Sequence, residues 1–271
     1  MPETKQYQMQ TVDEDGTVLE ILHPETESEI VSYIDTEPVI NPIGGIPAGK
    51  TYPDGNVQQV IYDLLHPYVK PTISFSASPS GAVREKGTVL DTINLTANIT
   101  KKSSPIKKVE FLKGSEVINT IDSPKANGGT EQYSWPANLS ENATVKARVT
   151  DEQGSTVDSN SATYTFVYPL YIGSLDSDAA VPTEEQIEAM EKRVVNKGTQ
   201  TFTYTIDSKR MAIACPPGWT ISKILDPNNF DMTSSFTPHD VQVTGLDGTA
   251  QTYKVYVSNP TTQSGFKVTY Q

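Results

Sequence analysis

The chain has 271 residues, 36% of them hydrophobic and 20% charged, and its 33 acidic against 21 basic side chains give a formal net charge of -12. That balance excludes a nucleic-acid binder, which needs a basic surface to displace phosphate counterions. It also repels an anionic membrane, and its plain role is to keep the protein soluble. The one cysteine, Cys215, excludes an internal disulfide and a multi-cysteine metal site.

Length alone predicts about two domains. The opening MPETKQYQMQTVDEDG has no basic n-region and no apolar h-region, so no conventional signal peptide is expected. Two alternating runs flank Asp13-Glu14-Asp15-Gly16, and Asp-Gly between such runs predicts a hairpin, because glycine accepts positive φ. The same acids could form part of a calcium loop, although the distal bidentate Glu of that motif is missing. Next, Leu22, His23 and Pro24 lead into an acidic segment carrying Ile30 and Val31, which suits a short helix or an extended arm. A two-stranded hairpin is marginal alone in water, so residues 1–43 read as an attachment arm stabilised by another subunit or protein.

Residues 44–70 form a Gly/Pro-rich connector in which Val57, Val60, Ile61, Leu64 and Leu65 recur at helical spacing. Asp54 or Asn56 can cap this helix and Pro67 stops it. At roughly ten residues it is too short to be stable alone, so its apolar face is expected to dock at the boundary with the following domain.

From residue 71 to 168 the pattern becomes seven short strands: PTISFSASP, VLDTINLTANIT, IKKVEFLKG, EVINTI, EQYSWPA, ATVKARVTD and STVDSNSATYTFVYP. Strands at this spacing predict an Ig-like β-sandwich, with turns at Lys113-Gly114, Asn127-Gly128-Gly129 and Gln153-Gly154. Trp135 precedes Pro136 near a strand end, a position that does not require core packing.

Residues 169–271 begin with a predicted helix near 183–196. Thr183 and Gln186 form a capping box, Ile187, Met190 and Val194 make an apolar face, and Gly198 closes it. Runs such as RMAIAC, ISKIL, VQVTG, TYKVYV and FKVTY then predict a second set of strands, with a hairpin turn at Asp247-Gly248. The expected fold is mainly β: an N-terminal arm and short helix, an Ig-like β-sandwich, and a second β-sandwich-like domain with one α-helix.

Catalytic equipment is not visible. His23, His66 and His239 are far apart, no G-x-S-x-G elbow occurs, and Cys215 sits in an apolar run that reads as a buried strand end. No catalytic residue, metal ligand or cofactor site is assigned, and the chain is expected not to be an enzyme. Four N-x-S/T sequons, at Asn94, Asn98, Asn138 and Asn142, read as Thr-rich strands and polar turns. Tyr133, Trp135 and Trp219 are candidate sugar-stacking residues, against the commoner role of aromatics in β proteins as core.

The stretch IGGIPAGKTYPDGNVQQVIYDLLHPYVKPTISFSASPSG, followed by VREKGTVL and ANITKKSSPIKKVEFLKG, resembles structural proteins of tailed bacteriophages that carry an Ig-like domain. RMAIACPP, ILDPNNFDMTSSFT and TGLDGTAQTYKVYVSNP are similar to the C-terminal domain of that group, and LHPETESEIV to the arms that open phage fibre and baseplate proteins. The resemblance covers most of the chain and implies a virion component of a tail, baseplate or surface fibre, made in the host cytoplasm. It also allows a capsid- or neck-attached decoration protein. Together with the residue pattern, it leads us to expect anchoring to other virion proteins by Leu22, His23, Pro24, Ile30, Val31, Val57, Ile61, Leu64 and Leu65 and multi-copy or homo-oligomeric assembly, while contact with host-surface glycans is expected from Trp219, Trp135 and Tyr133. A bacterial carbohydrate-binding adhesin and a polysaccharide-degrading tail enzyme are the competing classes.

Overall fold

The computed structural model describes residues 9–12, 18–22, 57–203, 205–263 and 265–270; the side chains of residues 9–12, 18–22, 57–59, 263 and 270 are outside that description. The chain divides into two compact units, residues 1–70 with 102–104, and residues 71–101 with 105–271.

In the first unit β1 (Met9–Val12) and β2 (Val18–Leu22) pair as an antiparallel hairpin with Met9 opposite Leu22. The hairpin expected around Asp13–Gly16 is thus present, while the turn and its calcium alternative lie outside the described residues, as do His23, Pro24, Ile30 and Val31. Helix α1 (Val57–Leu65) follows. His66 closes it: its backbone N–H donates to Tyr62 O at 2.9 Å, and its ring stacks on Tyr62 with centroids 4.1 Å apart.

The second unit opens with a sandwich built by period-two alternation. It contains β3 (Thr72–Ser78), β4 (Val83–Glu85), β5 (Ile93–Thr100), β6 (Ile106–Lys113), β7 (Glu116–Ile121), β8 (Gly128–Trp135), β9 (Ala143–Asp151) and β10 (Thr156–Val167). One sheet has the order β3-β5-β8 and the other β4-β10-β9-β6-β7, antiparallel except where β4 runs parallel to β10. In β5, Ile93, Leu95 and Ala97 face inward and are fully buried, and Val145, Ala147 and Val149 of β9 do the same from the opposite sheet. Burying each aliphatic side chain contributes about 1.5–3 kcal/mol. Phe75, Phe111, Trp135 and Tyr164 complete this core, and the Tyr164 hydroxyl donates to Pro79 O at 2.7 Å. This is an Ig-like sandwich. A bulge in β10 binds the sheets together: Asn160 accepts from Phe75 N and donates to Phe75 O, both at 2.9 Å, replacing a ladder rung with a side-chain amide.

The second sandwich has β11 (Leu170–Leu175), α2 (Glu184–Glu188), β12 (Glu191–Arg193), β13 (Thr199–Phe202), β14 (Ile206–Cys215), β15 (Ile221–Leu225), a 3-10 turn (Thr233–Ser235), β16 (Phe236–Thr244), β17 (Ala250–Gln263) and β18 (Phe266–Tyr270). Its sheets are β12-β11-β14-β17-β16 and β13-β18-β15. Strand β14 is central, and its MAIAC run is buried on both faces. Met211, Ile213 and Cys215 fill the space between the sheets with Phe236, Phe266 and Val268. Ala212 and Ala214 face the other way, into a smaller core under α2 with Tyr171, Ile187, Val243 and Tyr253.

The helix differs from its expected span of 183–196. Its start is as expected, with Thr183 Oγ1 accepting from Gln186 N and the Gln186 side chain accepting from Thr183 N. It stops at Glu188, and Glu191–Arg193 pair with Leu170–Ile172 as an edge strand. The turn comes where Met190 drops onto Gly173, whose missing side chain makes room: a Cβ there would lie 2.6 Å from Met190 Cγ. Gly198 therefore precedes β13 and closes no helix.

Candidate functional site

The residues singled out from sequence fall into separate places. On α1, Ile61, Leu64 and Leu65 are exposed, Leu65 to 70%, while Val60 is half-buried. Backbone position is described for Leu22 and Val57, without their side chains.

The aromatic candidates are mostly turned inward. Trp135 is 8% exposed, opposite Ile93 in the ladder and inside the first core, so its ring has no free face for a sugar. The cause is the pleat: Tyr133 and Trp135 stand two apart on β8 and share the inward face. Tyr133 is half-buried, with its ring 6.1 Å from that of Phe111. Trp219 is half-buried against the second core and lines a cleft with Lys86, Phe166, Tyr168 and Pro217. Sequence could have placed Trp135, because EQYSW alternates; Trp219, in a loop after Pro-Pro, carries no such signal.

The most constructed region is the junction between the two sandwiches. Strand β10 passes into β11 through Tyr168-Pro169, and the turn from β16 to β17 folds back onto that link. The Tyr168 hydroxyl donates to Asp247 Oδ2 at 2.8 Å, and Lys192 Nζ reaches both carboxylate oxygens of Glu85 at 3.1 Å. Gly87, at φ +98°, lets the β4 turn approach the turn's backbone so closely that a Cβ would lie 2.4 Å from Asp247 N. Behind this, Tyr253 donates to Pro169 O at 3.0 Å, and its ring lies 5.8 Å from that of Tyr171.

Electrostatics here describe a packed joint. Burial, then the charges of Glu85 and Glu188, push the Tyr171 phenol up to about 12. Burial also raises Tyr253, with Tyr171 and Glu85 adding to it. The Tyr168 hydrogen bond holds the Asp247 carboxyl below its ordinary value. The Tyr253 and Tyr168 hydroxyls act as donors, to Pro169 O and Asp247 Oδ2. Burial pushes the Cys215 thiol up to about 12, which suppresses the nucleophilic thiolate. Among the described residues, no three His, Cys, Asp or Glu side chains converge to hold a metal, and no helix is long and apolar enough to cross a membrane.

No protein-family model matches the chain, and no curated protein matches it. Among solved structures, fibronectin(III)-like modules of Clostridium thermocellum CbhA are similar at 17% identity, covering 71% of this chain and 80% of that one with a TM-score of 0.26. A superposition that loose carries no argument about activity. The architecture rests on the strands themselves, and the chain is a mainly β protein with an Ig-like sandwich, a second sandwich-like domain and one helix in the latter.

Proposed function

We propose that the chain is a non-enzymatic structural component of a tailed-phage virion, part of a tail, baseplate or surface fibre, anchored through its N-terminal region and displaying its β-sandwiches for assembly or weak host-surface contact. The observation that carries this reading is the junction. Two sandwiches share a continuous link locked by Tyr168–Asp247, by Glu85–Lys192 and by the close approach at Gly87. A joint of that kind suits a stiff displayed appendage. The resemblance of the connector and Ig-like segments to phage structural proteins supports the same reading.

Assembly through the N-terminal part is supported by the exposed apolar side chains of α1, because weak attachments gain avidity when many copies sit on a symmetric particle. Immunogold labelling of purified particles with antibody against residues 71–271 tests the proposal. Labelling at one fixed position is expected, and its place separates tail, baseplate and fibre from a neck or capsid decoration. Particles that stay unlabelled while the antibody binds the free protein argue against it.

A further inference from the structure

The loop from β15 to the 3-10 turn presents Phe230, the one aromatic in the exposed class among the described residues of the second unit, at 69% exposure. This side chain sits on a stiff support. Asp226 Oδ1 accepts from Asn228 N at 2.9 Å and Phe230 N at 2.8 Å, Asp226 N donates to Phe230 O at 2.9 Å, and Asn229 takes a positive φ of 65°. Asp231 Oδ1 then accepts from the backbone and hydroxyl of Thr233, whose Oγ1 in turn accepts from Ile224 N at 2.9 Å. The loop is therefore organised before any ligand arrives, which removes an entropy cost from binding.

The same loop borders a cleft of about 280 Å³, lined by Asp226, Pro227 and Asn229 with Phe202, Phe266 and Lys267, while Phe230 and Asn228 stand outside its lining. The side-chain amides of Asn228 and Asn229 make no hydrogen bond, and Lys267 no ion pair, among the described residues. Its location follows from register. Strand β15 leaves its sheet beside Lys267, and β18 begins just after the far end of β17, so the loop lies at the end of the second sandwich opposite the junction turn.

We propose that this tip is a saccharide-binding site, in which Phe230 stacks on the C–H face of a sugar ring while the Asn228 and Asn229 amides and Lys267 bond its hydroxyls. The combination selects the ligand class. A purely apolar partner would bury these amides and the ammonium without partners, at a cost that cancels the gain from Phe230. A polyhydroxylated ring offers an apolar face and a polar edge together, and a cleft of this size accommodates one such ring. The inference deepens the host-surface part of the proposed function and replaces Trp135 as a stacking residue. With one exposed aromatic per site, affinity is millimolar and use on a particle depends on many copies.

The test is saturation-transfer NMR on the full chain with methyl glycosides of glucose, galactose, mannose and N-acetylglucosamine at about 10 mM. Transfer to ring C–H protons is expected from at least one of them. Phe230→Ala should weaken it at least tenfold, Phe230→Tyr should retain it, and Val117→Ser, which removes exposed apolar surface elsewhere, should leave it unchanged. No transfer from any of the four, or equal transfer to the Phe230→Ala chain, overturns the site. So does a concentration-dependent mass on light scattering that Phe230→Ala abolishes, which would make the tip a contact between copies. Because purified chain is used, absence of the protein from particles would remove the virion reading without altering this result.

Discussion

At the residue scale the clearest charged arrangement is Asp158, which accepts from Arg148 Nε at 2.6 Å and from Lys146 Nζ at 2.6 Å across β9 and β10. These hydrogen bonds, Arg148 first, bring its carboxyl from the ordinary 3.8 down to about 2. A value depressed in the folded state contributes stability above about pH 3.8, and the contribution is lost as pH falls through about 2. Its side chain is 37% exposed, so screening limits the effect to below about 1 kcal/mol. Asp158→Asn should therefore lower stability to urea by a few tenths of a kcal/mol or slightly more at pH 7 and by distinctly less at pH 2. An equal loss at both pH values would mean the pair acts through packing. Single residues were unevenly legible from sequence. Cys215 reads as buried because MAIAC is continuous and apolar, whereas Asn160 reads as an ordinary surface amide, since nothing local reveals that it bridges to a strand 85 residues away.

At the element scale, strands whose alternation is long enough were legible and short edge strands were not. Strands β5 and β9 show the inward and outward pattern over eight and nine residues, while β4 and β12 have three residues each and exist because a neighbour offers a free edge. Helix α2 shows both outcomes. Its start was legible because a capping box is local chemistry, and its end was not, because tertiary contacts of Met190 with Gly173 and pairing of Glu191–Arg193 overrode helical periodicity. Thr183→Ala should cost about 1 kcal/mol in chemical denaturation. A loss below the error of the measurement would show that Ile187 packing alone holds the helix.

At the scale of the whole molecule, the two sandwiches of the second unit are held by a joint that sequence does not announce. Tyr168 and Asp247 are 79 residues apart, and Glu85 and Lys192 are 107 apart. Gly87→Ala should be the sharpest probe, because a Cβ at positive φ would run into the backbone of the β16–β17 turn. We expect about 2 kcal/mol of destabilisation and protease cleavage near Tyr168-Pro169, with both sandwiches still folded. Unchanged stability and proteolysis would mean that the joint yields freely and is no stiffening element.

The central claim is that this stiff pair of sandwiches is carried on a phage particle. Quantitative mass spectrometry of density-purified virions from producing cells tests it most directly. Peptides of this chain are expected at a fixed ratio to the other structural proteins, retained through repeated banding. Finding the chain only in the soluble fraction of the lysate, with none in the banded particles, would contradict it.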